Sequence, residues 1–204
     1  MSTEFLNAPA GRHNRYLLMR HGHSQANASG VIISTPDRGL DAFGLSPQGR
    51  EQLDRVVAEW SWPAPTHILH SDFLRTAETA ARVAEHFALP LSGEPGLRER
   101  DFGELEGQPD SRYPDIWALD AADPTHRRFG VESVAAVARR MLGVIDGLER
   151  ETRHATVLLV SHGDPLQILL TALAQRPLSQ HRDRPPLAPA SITLLAPSQG
   201  APTR

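Results

Sequence analysis

Short apolar runs of strand type alternate with helical patterns from residue 16 to residue 195, and few folds accommodate that alternation. The runs at 16–19, 67–70, 156–160 and 192–195 have strand length, and one more is expected to close at Leu97. Between them, Ser46 as N-cap with Pro47 in the first turn opens a helix to about residue 60, and 72–87 carries alanine-rich helical spacing. Short helices are expected around 116–119 and over 165–174. The longest pattern, 131–150, sets Val134, Val137, Met141, Leu142, Ile145 and Leu148 on one face. Strands separated by helices predict an α/β fold, a three-layer sandwich with a mainly parallel central sheet and helices on both faces. With 204 residues and neither a repeat nor a linker, the chain reads as one domain over 1–204. Residues 1–14 and 199–204 are expected to be flexible ends, and the proline-rich stretch 176–189 a surface loop.

The polar groups worth attention fall where the strands run out. Leu17-Leu18-Met19 leads into Arg20-His21-Gly22, and Val157-Leu158-Leu159-Val160-Ser161 leads into His162-Gly163. Ser71 and Arg75 follow the second strand, and Glu99 the third. Ligands of open α/β sheets bind in the crevice beyond the carboxyl ends of the strands, so these groups are expected to share one site. A guanidinium presents a rigid fork of donors suited to a phosphoryl group, and two of them around two imidazoles make a cationic pocket that calls for an anion. A neutral imidazole there can attack phosphorus, provided that a backbone carbonyl holds its other ring nitrogen. Gly22 lets the backbone come close. The departing alcohol needs a proton, a carboxyl group is the natural donor, and Glu99 is the best candidate.

Composition removes competing chemistries. The chain has no cysteine, which excludes disulfides, thiolate zinc sites and a thiol nucleophile. All 21 basic residues are arginine, so a Walker-type phosphate loop and a Schiff-base lysine are excluded as well. A formal charge of −3 offers no general attraction to nucleic acid or to an anionic membrane, and any affinity for phosphate must be local. The start of the chain lacks the apolar stretch of a signal peptide and no run approaches the length of a membrane span, which points to a cytoplasmic protein. Nothing in the pattern calls for a cofactor.

An ordered series of residues carries a resemblance. Arg20-His21-Gly22 with Ser24 and Asn27, Leu45-Ser46 with Gly49, Ser71 with Arg75-Thr76 and Thr79-Ala80, Leu97 with Glu99, Phe102-Gly103 and Glu106-Gly107, Glu132-Ser133 with Arg140, and Ser161-His162-Gly163 resemble the phosphoglycerate mutase-like branch of the histidine phosphatase superfamily. The resemblance runs from about residue 16 to 195. It implies that His21 is the phosphorylated nucleophile, that Arg20, Arg75 and His162 bind the phosphoryl group, and that Glu99 is the proton donor. By the same resemblance Ser24 and Asn27 line the substrate pocket and the backbone of Gly163 adds a donor. His23 stands where many members have glutamate, and Pro189-Ala190-Ser191 where an asparagine often precedes the last strand. Phosphoglycerate mutases carry a longer insertion between proton donor and second histidine than 99–162 provides. The expectation is therefore a metal-independent phosphomonoesterase acting on small phosphorylated metabolites and releasing inorganic phosphate. The region 108–130, with Arg112, Tyr113, Trp117, Arg127, Arg128 and Phe129, is expected to cover the pocket.

Other readings of the same residues stand beside this one. Return of the phosphoryl group to bound product would make the protein a phosphoglycerate mutase, and loss of turnover would leave a phosphate-binding regulatory protein. His21-Gly22-His23 with His162 and Asp164 is a possible metal set, opposed by two neighbouring arginines that would repel a divalent cation. Arg75 could pair with Asp72 or Glu78 at a helix start. Glu99 could belong to a solvated charged loop with Arg98, Arg100 and Asp101, and Ser24 with Asn27 could be a helix cap.

Overall fold

The chain alternates as its apolar pattern requires, in a computed structural model that describes residues 11–197. Residues 1–10 and 198–204, and with them most of the two expected flexible ends, lie outside the described residues. The elements run β1 (Arg15–Arg20), α1 (Gln25–Ser29), α2 (Pro36–Gly39), α3 (Pro47–Ala58), β2 (His67–His70), α4 (Leu74–Phe87) and β3 (Leu91–Gly93). They continue as α5 (Tyr113–Ala122), α6 (Val134–Glu151), β4 (Thr156–Ser161), α7 (Gly163–Leu173) and β5 (Ile192–Leu195). One sheet holds the five strands in the order β3-β2-β4-β1-β5, parallel throughout except for the antiparallel pair of β1 with β5.

Alternation within β1 and β4 decides which helices cover which face. Tyr16, Leu18, Val157 and Leu159 pack against Val134, Val137, Met141 and Ile145 of α6 and Leu166, Ile168 and Leu169 of α7. Leu17, Met19, Leu158 and Val160 pack against Leu53 and Val57 of α3 and Ala80 and Val83 of α4. Both faces of the two central strands are thus buried, which is why they read as unbroken apolar runs. Each aliphatic side chain so placed contributes about 1.5–3 kcal/mol through water exclusion. A third cluster of Ile32, Phe102, Leu105, Ile116 and Val131 seats α5 over the carboxyl end of the sheet.

Caps bound the helices as their sequences suggest. The Ser46 hydroxyl accepts from Gly49 N–H, and the Ser133 hydroxyl from Ala136 N–H, each worth about 1 kcal/mol. Two expectations change. The third strand is Leu91–Gly93, and Leu97 instead closes a 3₁₀ turn, Pro95–Leu97, that leads to Glu99. The flexible start expected over 1–14 also stops short of Asn14, which is fully buried. The Asn14 amide donates to the carbonyls of Leu148 at 3.3 Å and Thr152 at 3.0 Å and accepts from Ala155 N–H at 2.9 Å, closing the turn from α6 to β4. Among the described residues no helix is long and apolar enough to cross a membrane.

Candidate active site

Strand register brings the two His-Gly steps together. Arg20 of β1 pairs with Ser161 of β4, so the next residue on each strand is a histidine, and His21 N–H donates to the Ser161 carbonyl at 3.0 Å. The two rings stand edge to face with centroids 5.2 Å apart, and both are buried. Arg75 comes from the first turn of α4 and is 3% exposed, which rules out a surface ion-pair role. Its Nε–H donates to His21 Nε2 and to His162 Nδ1, each at 3.2 Å, and its Nη2 donates to the Ile33 carbonyl at 2.9 Å. The carboxylates that stood as its alternatives go elsewhere, Asp72 to Arg98 and Glu78 to Arg50 and Leu45 N–H.

Hydrogen bonds fix the tautomers. His21 Nδ1–H donates to the Gly22 carbonyl at 2.7 Å, which leaves Nε2 with its lone pair toward the arginines. His162 accepts at Nδ1 and donates from Nε2 to the Ser71 hydroxyl at 2.9 Å. Burial first, and then the Arg75 charge, hold both imidazoles well below the usual histidine range, so both are neutral at physiological pH. Gly22 keeps this approach close: a Cβ would come 3.1 Å from Leu45 Cδ2 and 3.2 Å from the Gly49 carbonyl, so its neighbours would have to give way.

The donors for an anion lie close to the same histidine, His21, whose charge both Arg75 and Arg20 oppose. Arg75 Nη1 and Arg20 Nε are buried and have no hydrogen-bond partner within the protein, while Arg20 Nη1 is held by the Leu187 carbonyl at 2.5 Å. Helix α7 starts directly after His162 and lies against Arg20, a Cβ on Gly163 falling 3.4 Å from Arg20 Nε. Its first-turn N–H groups have no intrahelical partner and favour negative charge. Two guanidinium donors and a helix start beside a neutral imidazole suit a phosphoryl group.

Glu99 is the carboxyl group of the site, not part of a solvated loop. Its side chain is 9% exposed, and Oε2 lies 3.8 Å from both Arg75 Nη2 and His162 Nδ1. Oε1 accepts from Arg100 N–H at 2.9 Å. Burial pushes its pKa up to about 7 against the attraction of Arg75, so an appreciable fraction carries a proton near neutrality. Arg140 fixes the backbone under it, donating to the carbonyls of Gly96, Arg98 and Glu99 while its other side meets Glu132.

Not every expected residue takes the expected place. Ser24 caps α1 in a reciprocal box with Asn27 and is fully buried, so its role in this geometry is structural. Asn27 shares that box and also lines the cavity of about 280 Å³ that opens beside Glu99. The His23 ring turns away to the Ser46 hydroxyl at 2.8 Å, and its backbone N–H donates to the Gln52 side-chain oxygen at 2.9 Å, so the two rings of the His-x-His pair take different partners. Among the described residues no group of three or more metal-ligating side chains is assembled. Of the expected cover, Tyr113 and Trp117 line the cavity, stacked on one another at 5.3 Å. Arg127, Arg128 and Phe129 do not line it, and Arg112 pairs with Asp115 at the surface.

The sequence reading missed a buried charged group beneath the cavity. Arg100, with no exposed surface, forks onto Asp120 at 2.7 and 2.8 Å and reaches Asp164 at 3.3 Å. Burial would raise the Asp164 pKa, but His181, Arg100 and Arg182 outweigh it and hold the carboxylate ionised. Asp164 was considered only as a metal ligand, and Asp120 lies 20 residues from its partner, beyond the reach of any local pattern.

A strand-end histidine pair with convergent arginines defines a class of protein, and comparison with known proteins agrees. Residues 16–203 match the model of the histidine phosphatase superfamily (branch 1), and the chain belongs to that family. It is similar to a probable phosphoglycerate mutase of Yersinia enterocolitica, 34% identical over 165 residues that cover 78% of this chain and 74% of that one. A protein of the same description from Proteus mirabilis is 31% identical over 81% of this chain and 77% of that one. Among solved structures, a mycobacterial glucosyl-3-phosphoglycerate phosphatase has a TM-score of 0.75 at 26% identity, covering 90% of this chain and 89% of that one. The relatives thus include proteins described as mutases and as phosphatases.

Proposed function

We propose that the protein is a metal-independent phosphomonoesterase that works through a phosphohistidine on His21. The observation that carries this reading is the neutral His21, its Nε2 lone pair accepting from Arg75 Nε–H, in a site where Arg75 Nη1 and Arg20 Nε are buried with no hydrogen-bond partner in the protein. A phosphoryl oxygen that takes the Arg75 donors frees Nε2 to attack phosphorus in line. The ester P–O bond breaks as the N–P bond forms, and Glu99 gives its proton to the departing oxygen. The resulting carboxylate takes a proton from water, whose oxygen attacks phosphorus and restores His21 with release of inorganic phosphate. Arg20, Arg75 and neutral His162 stabilise the charge on the equatorial oxygens.

Transfer to water rather than back to product is favoured by the simple cover. Between Glu99 and α6 the chain holds one helix, α5, whose Tyr113 and Trp117 line the cavity, and short 3₁₀ turns, whereas a mutase must shield its phosphohistidine until the isomeric product has reoriented. A coupled mutase assay run beside a free-phosphate assay tests the choice. Phosphate is expected from several monoesters without a bisphosphate primer, and with labelled substrate an acid-labile, base-stable adduct that His21→Ala lacks. Rapid interconversion of 2- and 3-phosphoglycerate with negligible free phosphate would overturn it in favour of the mutase.

A further inference from the structure

The wall of the cavity beyond the phosphoryl-binding arginines is built from Asn27, Asp110, Tyr113, Trp117, Asp164 and Arg182. We propose that this wall selects a leaving alcohol that carries hydroxyl donors and no negative charge, a polyol ester rather than a phosphoglycerate. The proposal rests on the phosphomonoesterase reading above and adds to it the class of substrate.

The argument is one of charges already matched. Arg182 is the one cation among the lining residues besides Arg20, and its Nη1 is taken up by the protein itself. Its guanidinium lies 3.7 Å from the Trp117 ring centroid, and Nη1 meets Asp164 at 3.3 Å and the Gln167 side-chain oxygen. Gln167 in turn donates to the carbonyls of Arg184 and Pro185 at 3.2 and 3.1 Å, which pins the loop carrying Arg182. The other oxygen of Asp164 takes Arg100, whose fork is on Asp120. Arg100 and Arg182 therefore sit on Asp120 and Asp164, with His126 and His181 beside the same two carboxylates, and a carboxylate on the leaving group would have to compete with Asp164 for Arg182.

Asp110 is left over. It lies at the exposed mouth, and among the described residues it has no ion-pair partner. In the same cavity wall the Asn27 side-chain oxygen is held by Ser24 N–H and hydroxyl, which leaves the amide nitrogen as a donor. A hydroxyl group suits this pair, since it donates to the Asp110 carboxylate and accepts from Asn27. A carboxylate or second phosphate meets a like charge and displaces Arg182 only by stranding Asp164 and Gln167.

The test compares kcat/KM for glycerol 2-phosphate and 3-phosphoglycerate, with p-nitrophenyl phosphate reporting the chemistry alone. The glycerol ester is expected to be better by about tenfold, and the gap to narrow by about threefold in 0.5 M salt, as exposed like-charge repulsion requires. Asp110→Asn is expected to narrow it by a similar factor, mostly through KM for 3-phosphoglycerate, and Asp110→Ala to move it the same way. Equal or better use of 3-phosphoglycerate, or a ratio indifferent to both substitutions, would overturn the proposal. Absence of phosphate release from every ester, the aryl one included, would instead sink the phosphomonoesterase reading on which it stands.

Discussion

Replacing Glu99, the proposed proton donor, should make the protein more stable, and by an amount that depends on pH. Burial moves Glu99 from an ordinary value of 4.5 to about 7, so the folded protein favours its neutral form. Each decade corresponds to about 1.4 kcal/mol, and the stability tied to that preference is about 3 kcal/mol. The sign follows from the direction: the contribution is whole below pH 4.5, drains away as pH rises, and is gone above about 7. Glu99→Gln keeps the shape and stays neutral at every pH, and its amide oxygen can still accept from Arg100 N–H. At pH 4 the two proteins should be equally stable, whereas at pH 8 the variant should gain about 3 kcal/mol, or about 6–12 °C in Tm for a chain of this size. The buried neutral His21 and His162 cost stability as pH falls below 6.5, but they do so in both proteins and cancel in the difference. Urea or thermal unfolding at half-unit steps from pH 4 to 8 measures it. Activity should move oppositely: kcat/KM on alkyl esters should fall by about 10²–10⁴-fold, and far less on p-nitrophenyl phosphate, which leaves without a proton. A difference in stability that is flat with pH, or a variant destabilised at pH 8, would refute the reasoning.

Two further outcomes follow from buried charges. Arg75→Ala removes charge-assisted hydrogen bonds of about 1.5–3 kcal/mol to the phosphoryl group, so kcat/KM should drop by about one to two orders of magnitude with weaker inhibition by phosphate or vanadate; unchanged inhibition would contradict its role. Asp120→Ala strands fully buried Arg100 and should cost about 3–5 kcal/mol, seen as a lowered Tm; a loss below about 1 kcal/mol would mean that Asp164 alone can compensate that charge.

The sequence was most legible where burial is two-sided. β1 and β4 are apolar on both faces, so their ends, and the histidines beyond them, stand out without any knowledge of neighbours. β3 was misplaced because it is three exposed residues at the sheet edge, Leu91-Ser92-Gly93, with no apolar alternation to mark it. Leu97 attracted the assignment instead, being fully buried and next to Glu99, yet its burial comes from a 3₁₀ turn packed on α6. Ser24 and Asn27 look alike as a cap and as pocket residues from spacing alone, and only the direction of each side chain separates them. The charges under the cavity escaped because Arg100, Asp120, Asp164 and Arg182 come from four separate segments, each unremarkable by itself.

The pairing of β1 with β4 has a consequence for how the molecule comes into being. Arg15 and Thr156 face each other across 141 residues, and β1 finds its other neighbour only at 192–195. β1, which carries the proposed nucleophile, must therefore wait, apolar on both faces and without backbone partners, until the chain as far as β4 has been made. Long-range parallel pairing of this kind is slow and leaves sticky edges open meanwhile. His21 and Arg75 are both present long before His162 has been made, but the hydrogen bond from His21 N–H to the Ser161 carbonyl cannot form until β4 arrives. A nascent chain stalled before residue 156 thus holds four of the five proposed catalytic side chains, Arg20, His21, Arg75 and Glu99, without the strand that anchors the backbone of His21.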